Sequence, residues 1–177
     1  MTCGRISSKL KIMKLLHNDC AYINFRDWRV WLATWGGSGM IKWAPGTFGT
    51  VAALPFVYLI LFYGGALALF LFACLTFALG LMIAKPMEAQ TNKKDSSIIV
   101  IDEVAGMAVA ALPALLTPFY FIAAFLLFRF FDVLKPWPIG WLDQYFKGPF
   151  GVMIDDVIAG IFAALILLGM RYAGIGF

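Results

Sequence analysis

Five acidic residues stand inside or at the edges of strongly apolar segments, where nothing in helix formation requires a charge. They are Asp102, Glu103, Asp132, Asp155 and Asp156. The segments are IIVIDEVAGM at 98–107, FRFFDVLKPWP at 128–138 and GVMIDDVIAG at 151–160. A carboxylate at membrane depth costs roughly 2.5 to 3.5 kcal/mol on insertion scales. A group of such residues therefore indicates a bound cation or a function that needs the charges.

The chemistry that these carboxylates favour is the binding of a divalent metal ion. Repulsion among five neighbouring carboxylates is tolerable only when some are protonated or a multivalent cation lies among them. Hard oxygen ligands without a histidine or cysteine nearby favour Mg²⁺ over Mn²⁺ or Ca²⁺. The single histidine, His17, lies in the polar N-terminal segment. A histidine nucleophile would have to lie in the membrane-proximal site, and a cysteine nucleophile would need an arginine loop downstream of the cysteine, which we do not find. Neither nucleophile is therefore expected, which leaves a metal-activated water or an aspartate nucleophile.

Basic and hydroxyl groups near these acids suit a phosphate ligand. Arg129 is three residues before Asp132 and Lys135 is three residues after it. Thr47, in the loop APGTFGT, stands near the start of a predicted helix, where a hydroxyl and backbone amides can bind phosphate. These residues predict a site for a phosphorylated lipid headgroup. A plain ion pair between Arg129 and Asp132, and a capping role for Thr47, are the structural alternatives.

The composition places these residues in a membrane protein. The 177-residue chain is 62% hydrophobic and 14% charged, whereas soluble domains are about 25% charged. Its basic residues are spread through loops and the N-terminal arm, so the net charge of +4 does not indicate nucleic-acid binding. We predict a basic cytoplasmic arm over residues 1–26 and a single membrane-embedded domain over 27–177. The sequence does not indicate an oligomeric state.

The predicted fold is all-α, an integral membrane bundle of about five hydrophobic helices preceded by a short interfacial or re-entrant helix. The five spans are predicted at about 48–63, 66–84, 98–116, 119–134 and 152–172. Gly64 and Gly65 join the first two as a helical hairpin. The preceding helix, at 27–39, is too short to span and is rich in tryptophan, which suits the membrane interface.

The distribution of lysine and arginine predicts the orientation of the spans. If the N-terminal arm is cytoplasmic, every lysine and arginine except Arg171 falls on the cytoplasmic side or at its boundary. Asp102 and Glu103 then lie about 6 Å of helix rise into one span, and the pair in the last span lies at a similar depth. Asp132 ends a span that returns to the same side. The five acids are therefore expected to converge at the cytoplasmic face.

Two glycines are placed to bring the acid-bearing helices close together. Gly106 is four residues after Asp102, and Gly160 is four residues after Asp156. Residues four apart share a helix face, and small residues on that face let two backbones approach. We therefore expect contact between the helices at these glycines.

The same segments resemble the phosphatidylglycerophosphatase A family. The matching stretches are GSG and APGTFGT within 37–50, IVIDEVAGM at 99–107, FRFFDVLKPWPIGWLD at 128–143 and GVMIDDVIAG at 151–160. With their order and spacing, the resemblance covers about residues 30–172. It implies a Mg²⁺-dependent phosphatase of phospholipid synthesis that converts phosphatidylglycerol phosphate to phosphatidylglycerol. It also implies a multi-pass protein of the bacterial inner membrane with its active site at the cytoplasmic face.

The resemblance assigns roles to the residues already singled out. The metal-binding and catalytic acids would be Asp102, Glu103, Asp132, Asp155 and Asp156. The phosphate-binding residues would be Thr47, Arg129 and Lys135.

Two other classes of protein also place acids in membrane helices. A cation or proton transporter would bind its ion near the bilayer midplane, whereas these acids lie near one face, and no internal repeat is visible. A CDP-alcohol phosphotransferase shares the metal and the aspartates, but its long spaced Asp-Gly-Ala-Arg signature is absent from the sequence. A membrane lipid phosphatase is the function that the sequence favours.

Overall fold

The computed structural model describes residues 16–21, 23–93, 96–146 and 148–176, and within them it is all-helical, as predicted. Its α-helices are α1 Trp28–Ala33, α2 Pro45–Thr91, α3 Ile101–Ala110, α4 Pro118–Leu134, α5 Ile139–Tyr145 and α6 Pro149–Tyr172. Short 3₁₀ turns occur at Asn18–Ala21 and Ser38–Met40. The buried face of α3 packs between α2 and α6, and α4 packs on α6.

Helix α2 is a hairpin of two arms, as the glycine pair predicts. An uninterrupted helix of 47 residues would be about 70 Å long, more than twice the thickness of a hydrocarbon core. The helix is broken at Gly65, whose φ of 68° and ψ of −172° are non-helical. The Trp35 ring lies 5.2 Å from the Phe56 ring on the first arm and 6.0 Å from the Phe72 ring on the second. The chain therefore folds back on itself at Gly65.

The third predicted span, 98–116, does not form one long helix. Helix α3 begins at Ile101 and has 10 residues, about 15 Å of rise, which is too short for this helix to cross a bilayer by itself. The preceding residues are held outside the helix because the Val100 amide donates to the Ala33 carbonyl oxygen at 2.8 Å. The helix ends in the turn that contains Pro113. Asp102 and Glu103 consequently lie in the first helical turn, not one turn further in.

The close approach of α3 and α6 occurs at the expected glycines. A Cβ on Gly106 would lie 2.7 Å from the Asp156 carbonyl oxygen, and a Cβ on Gly160 would overlap the Gly106 carbonyl oxygen. Both contacts are made by backbone atoms, which cannot move aside as a flexible side chain can. Glycine at these two positions therefore sets the distance between the two acid-bearing helices.

We expect Gly160→Ala to destabilise the protein by about 1–3 kcal/mol, because the added methyl group would force the two backbones apart. Gly169→Ala on the same helix is the matched control, since its Cβ would have no atom within 4 Å. Thermal unfolding in detergent should show a lower midpoint for Gly160→Ala alone. Equal midpoints for the two variants would contradict this account of the contact.

Much of the outer surface of the bundle is apolar. Two helices among the described residues, Pro45–Thr91 and Pro149–Tyr172, are long and apolar enough to cross a membrane by length and composition. Large side chains stay exposed on them, including Leu67, Leu71 and Leu165, each more than half exposed. A surface of this kind suits lipid rather than water. The count of five crossing helices stays a prediction.

The short helix predicted at 27–39 is in fact two pieces. Helix α1 has six residues and is capped by the Asp27 side chain, which accepts a hydrogen bond from the Arg29 amide. The chain then turns at Trp35, Gly36 and Gly37, all with positive φ, before the second 3₁₀ turn. The glycines supply this conformation without steric cost.

The predicted N-terminal arm falls partly outside the described residues, which begin at 16. Its described part packs on the helical body: Cys20 and Ile23 are buried in a cluster with Val30, Met40 and Ile83. The boundary at residue 26 stays a prediction.

Candidate active site

All eight side chains predicted for the site line one polar cavity of about 350 Å³. They are Thr47, Asp102, Glu103, Arg129, Asp132, Lys135, Asp155 and Asp156. The cavity is formed by the start of α2, the first turn of α3, the end of α4 and the first turns of α6. Segments far apart in sequence are thus brought together at one place, and the roles of their residues stay predictions.

Three of the acids form a compact group. Asp102, Glu103 and Asp156 each offer a carboxylate oxygen, and these oxygens lie within 4.8 Å of one another. Asp102 and Asp156 are 7% and 5% exposed. Glu103 Oε2 is buried and has no hydrogen-bond partner among the described residues. Three close oxygen donors, one of them with an unused buried oxygen, fit a hard divalent cation such as Mg²⁺.

The position of the acids on α3 lowers the cost of burying them. Asp102 and Glu103 lie in the first turn, where the helix dipole favours negative charge. The Glu103 amide donates to Asp102 Oδ1 at 2.9 Å, which satisfies one amide of that turn. Local helix geometry therefore explains part of this acid pair, but it does not explain why acids from α4 and α6 join them.

Arg129 lies between two acids on the cavity wall. Its Nη1 atom is 2.6 Å from Asp132 Oδ2 and 4.0 Å from Glu103 Oε1. The ion pair given as the structural alternative therefore exists. This ion pair does not prevent Arg129 from binding phosphate, because the guanidinium has five N–H donors and Arg129 lines the cavity.

Lys135 forms an ion pair with an acid of the last helix. The sequence places it three residues after Asp132, but α4 ends at Leu134 and Lys135 is in the left-handed conformation, with φ 41°. Its Nζ donates to Asp155 Oδ2 on α6. A non-glycine residue in this conformation costs roughly 1–2 kcal/mol. The strain is compensated by an ion pair that ties the end of α4 to the cavity wall of α6.

The five carboxylates are close enough to act on one another. The carboxylates of Asp102, Asp132 and Asp155 are near enough to repel the carboxylate of Asp156. The lining has five carboxylates and two cationic groups, Arg129 and Lys135, an excess of three negative charges when all are ionised. A divalent cation would compensate most of this excess, which is the second reason that the residues fit one.

Gly46 and Ser97 are among the further residues that line the cavity and that the sequence did not single out. Gly46, beside Thr47 in the first turn of α2, lies against the Glu103 carboxylate. Ser97 lies on the segment that leads into α3. Gly46 could have been found from the glycines of APGTFGT, whereas Ser97 had no signal beyond its position five residues before Asp102.

We expect Gly46→Ala to lower turnover by about tenfold to a hundredfold with little loss of stability. The added Cβ would overlap Glu103 Oε1 and would lie 3.2 Å from Arg129 Nη1. If Glu103 is catalytic, as predicted, a small displacement of its carboxylate has an effect of this size. The Glu103 side chain can swing away, and alanine is the better helix former, so the fold is expected to tolerate the change. Activity and melting temperature should be compared with Gly169→Ala. Normal turnover would show that the position of Glu103 is unimportant.

A cysteine nucleophile receives no support from the structure. Cys20 is followed by an arginine, Arg26, six residues later. The Cys20 thiol is buried, however, and burial raises its pKa, whereas a nucleophilic cysteine needs a lowered one. Neither residue lines the acidic cavity.

The chain is similar to known proteins over most of its length. The family model for phosphatidylglycerophosphatase A matches residues 31–171. A phosphatidylglycerophosphatase A of Haemophilus influenzae is 39% identical over 143 residues, covering 80% of this chain and 87% of the relative. That of Escherichia coli is 37% identical over 158 residues, covering 85% and 89%.

A third relative has a different name. A Bacteroides thetaiotaomicron protein, provisionally named a phosphatidylinositol-3-phosphatase, is 35% identical over 159 residues, covering 81% of this chain and 93% of the relative. No solved structure matches the chain.

Proposed function

The chain belongs to the phosphatidylglycerophosphatase A family and is a phosphatase, and we propose that it hydrolyses phosphatidylglycerol phosphate to phosphatidylglycerol and phosphate. The reaction would serve the synthesis of phosphatidylglycerol and cardiolipin. The family match favours this reading over the ion transporter and the CDP-alcohol phosphotransferase.

The observation that carries the proposal is the composition of the acidic cavity. Five carboxylates that can hold a cation and two cationic side chains that can hold phosphate meet in one space of about 350 Å³. That space has room for a phosphorylated headgroup, while the apolar outer surface of the bundle can stay among the acyl chains. A soluble phosphate ester would need only the cavity, so the apolar surface favours a lipid substrate.

We assign Mg²⁺ as the cofactor, held by Asp102, Glu103 and Asp156, with Asp132 and Asp155 completing the predicted ligand set from the cavity wall. A bound Mg²⁺ would polarise the phosphate and make an attacking water more acidic. Two observations support the assignment of Mg²⁺. Three carboxylate oxygens lie close together, and the buried Glu103 Oε2 atom has no hydrogen-bond partner among the described residues.

The side chains of the protein would divide the remaining work. Arg129 and Lys135 would donate to the phosphate oxygens and stabilise negative charge as it develops. Thr47, in the first turn of α2, would donate its hydroxyl to the same group. A carboxylate of the cavity that is not fully engaged by the cation would accept the proton of the attacking water as the phosphorus–oxygen ester bond breaks, and the leaving lipid alcohol would take up that proton.

We place the protein in the bacterial inner membrane as a multi-pass protein with this site at the cytoplasmic face. The distribution of basic residues along the sequence supports that orientation. A site at headgroup level would let the phosphate be removed while the acyl chains stay in the bilayer.

Phosphate release from three substrates would test the proposal. Purified protein in detergent with Mg²⁺ should release phosphate from phosphatidylglycerol phosphate faster than from phosphatidylinositol 3-phosphate, the comparison suggested by the Bacteroides relative. A soluble phosphate ester such as glycerol phosphate should be a poor substrate. Preference for the inositol lipid would overturn the proposed substrate and keep the phosphatase, and equal rates on the soluble ester would overturn the lipid requirement.

A further inference from the structure

A buried aspartate fixes the N-terminal segment to the loop that leads into the active site. Asp19 is 2% exposed. Its Oδ1 accepts from Lys93 Nζ and its Oδ2 accepts from Ser96 Oγ, both at 2.6 Å. Burial raises the pKa of Asp19, but these hydrogen bonds outweigh it, so the pKa lies below its ordinary value. Asp19 is therefore a charged anchor between two segments more than 70 residues apart in sequence.

His17 stands between this anchor and the active-site cavity. Its backbone amide donates to the Met40 carbonyl oxygen at 2.8 Å, which fixes the main chain. On the ring, Nδ1 accepts from the Asp19 amide at 3.3 Å and lies 3.5 Å from Asp19 Oδ2. Nε2 lies 3.1 Å from Ser97 Oγ. The ring is thus held at both nitrogen atoms.

The partners of the ring decide which atom donates to Ser97. Because the Asp19 amide donates to Nδ1, the neutral ring is assigned its proton on Nε2. A protonated ring also has a proton on Nε2. In either state Nε2 donates to Ser97 Oγ, and the hydroxyl proton of Ser97 stays available. Ser97 lines the acidic cavity, so that proton can be donated to a ligand there.

We propose that Ser97 is a substrate-binding residue of the phosphatase site and that His17, anchored by Asp19, positions it. The Ser97 hydroxyl donates a hydrogen bond to an oxygen of the phosphorylated headgroup. This inference rests on the proposed lipid phosphatase function. His17 and Asp19 precede residues 31–171, which match the family model. On this proposal the N-terminal segment supports the active site and is not a separate arm.

Kinetics with phosphatidylglycerol phosphate would test the role of Ser97. Loss of one hydrogen bond to a charged group should raise KM by about tenfold in Ser97→Ala, with kcat within about twofold, because the bond is made in the ground state as well. Ser97→Thr should keep the wild-type KM. Inhibition by inorganic phosphate identifies the bonded oxygen: a weaker inhibition in Ser97→Ala points to the phosphate group, and an unchanged one points to the glycerol part.

A double-mutant cycle would test the role of His17. His17→Ala should raise KM as Ser97→Ala does, and the double variant should be no worse than Ser97→Ala alone. His17→Gln should restore most of the affinity, since its amide can donate from a similar position. Gln90→Ala is the matched control: Gln90 ties the same N-terminal segment through Asn24 and Asp27 but does not line the cavity, so its KM should be unchanged.

The results of these experiments can overturn the binding role of Ser97, the positioning role of His17 or the proposed function separately. An active wild type with an unchanged KM in a folded Ser97→Ala variant would overturn the binding role of Ser97. Additive effects in the cycle, or a raised KM in Gln90→Ala, would show that His17 acts through general stability. A folded wild type that releases no phosphate from the lipid would overturn the proposed function, and this inference with it.

Discussion

Asp102→Asn and Asp156→Asn are each expected to lower phosphate release by about a thousandfold or more. Both residues belong to the group of three whose carboxylate oxygens lie within 4.8 Å of one another. An amide keeps the shape of the side chain but removes the charge that binds a cation, and several kcal/mol of charge stabilisation corresponds to a loss of this size. Initial rates at saturating substrate would measure it.

The melting temperature separates lost chemistry from lost structure in these variants. The acids of the cavity repel one another, so removing one charge relieves repulsion in the metal-free protein. We expect the melting temperature of each variant in EDTA to equal or exceed that of the wild type. Substantial activity in either variant would remove that residue from the metal-binding set, and a large fall in melting temperature would point to a structural role.

Arg129→Gln should have the second largest effect, a loss of about a hundredfold to a thousandfold in turnover. The change removes a cation that we propose binds the phosphate group, and single groups that stabilise developing charge are worth this much. It also frees the Asp132 carboxylate, whose Oδ2 lies 2.6 Å from the guanidinium. Arg129→Lys should recover only part of the activity, because an ammonium group cannot reproduce the planar fork of the guanidinium.

Arg171→Gln is the matched control for this prediction. Arg171 lies in the last turn of α6 and is exposed, away from the acidic cavity. Its substitution should leave turnover within about twofold of the wild type. Similar losses in the Arg129 and Arg171 variants would show that overall charge, and not a contact in the site, controls the rate.

The convergence of the acids could be predicted from the sequence because charges in apolar segments carry a large cost. Such residues stand out without a structure, and the predicted alternation of spans puts Asp102, Asp132 and Asp156 on one side. Pairing Gly106 with Gly160 also followed from spacing, since residues four apart share a helix face. These predictions depend only on helical periodicity and on the positions of charged residues, and both can be read from a single sequence.

The features that could not be predicted depend on long-range contacts. Helix α3 is short because Val100 bonds to Ala33, a contact between segments more than 60 residues apart. Lys135 turns to Asp155 because α4 ends one residue before it. His17 had the sequence context of a solvated side chain, yet it contacts Ser97 at the cavity. Nothing in the sequence around Val100, Lys135 or His17 indicates these distant partners.

The central claim is that the acidic cavity holds a divalent cation on which lipid phosphate hydrolysis depends. The most direct test is phosphate release from phosphatidylglycerol phosphate by the purified protein after treatment with EDTA, measured as Mg²⁺ is restored. We predict no release in EDTA and full recovery with Mg²⁺ in the wild type, with no recovery in Asp156→Asn at the same concentrations. Undiminished release in EDTA, from protein shown to be free of metal, would contradict the account.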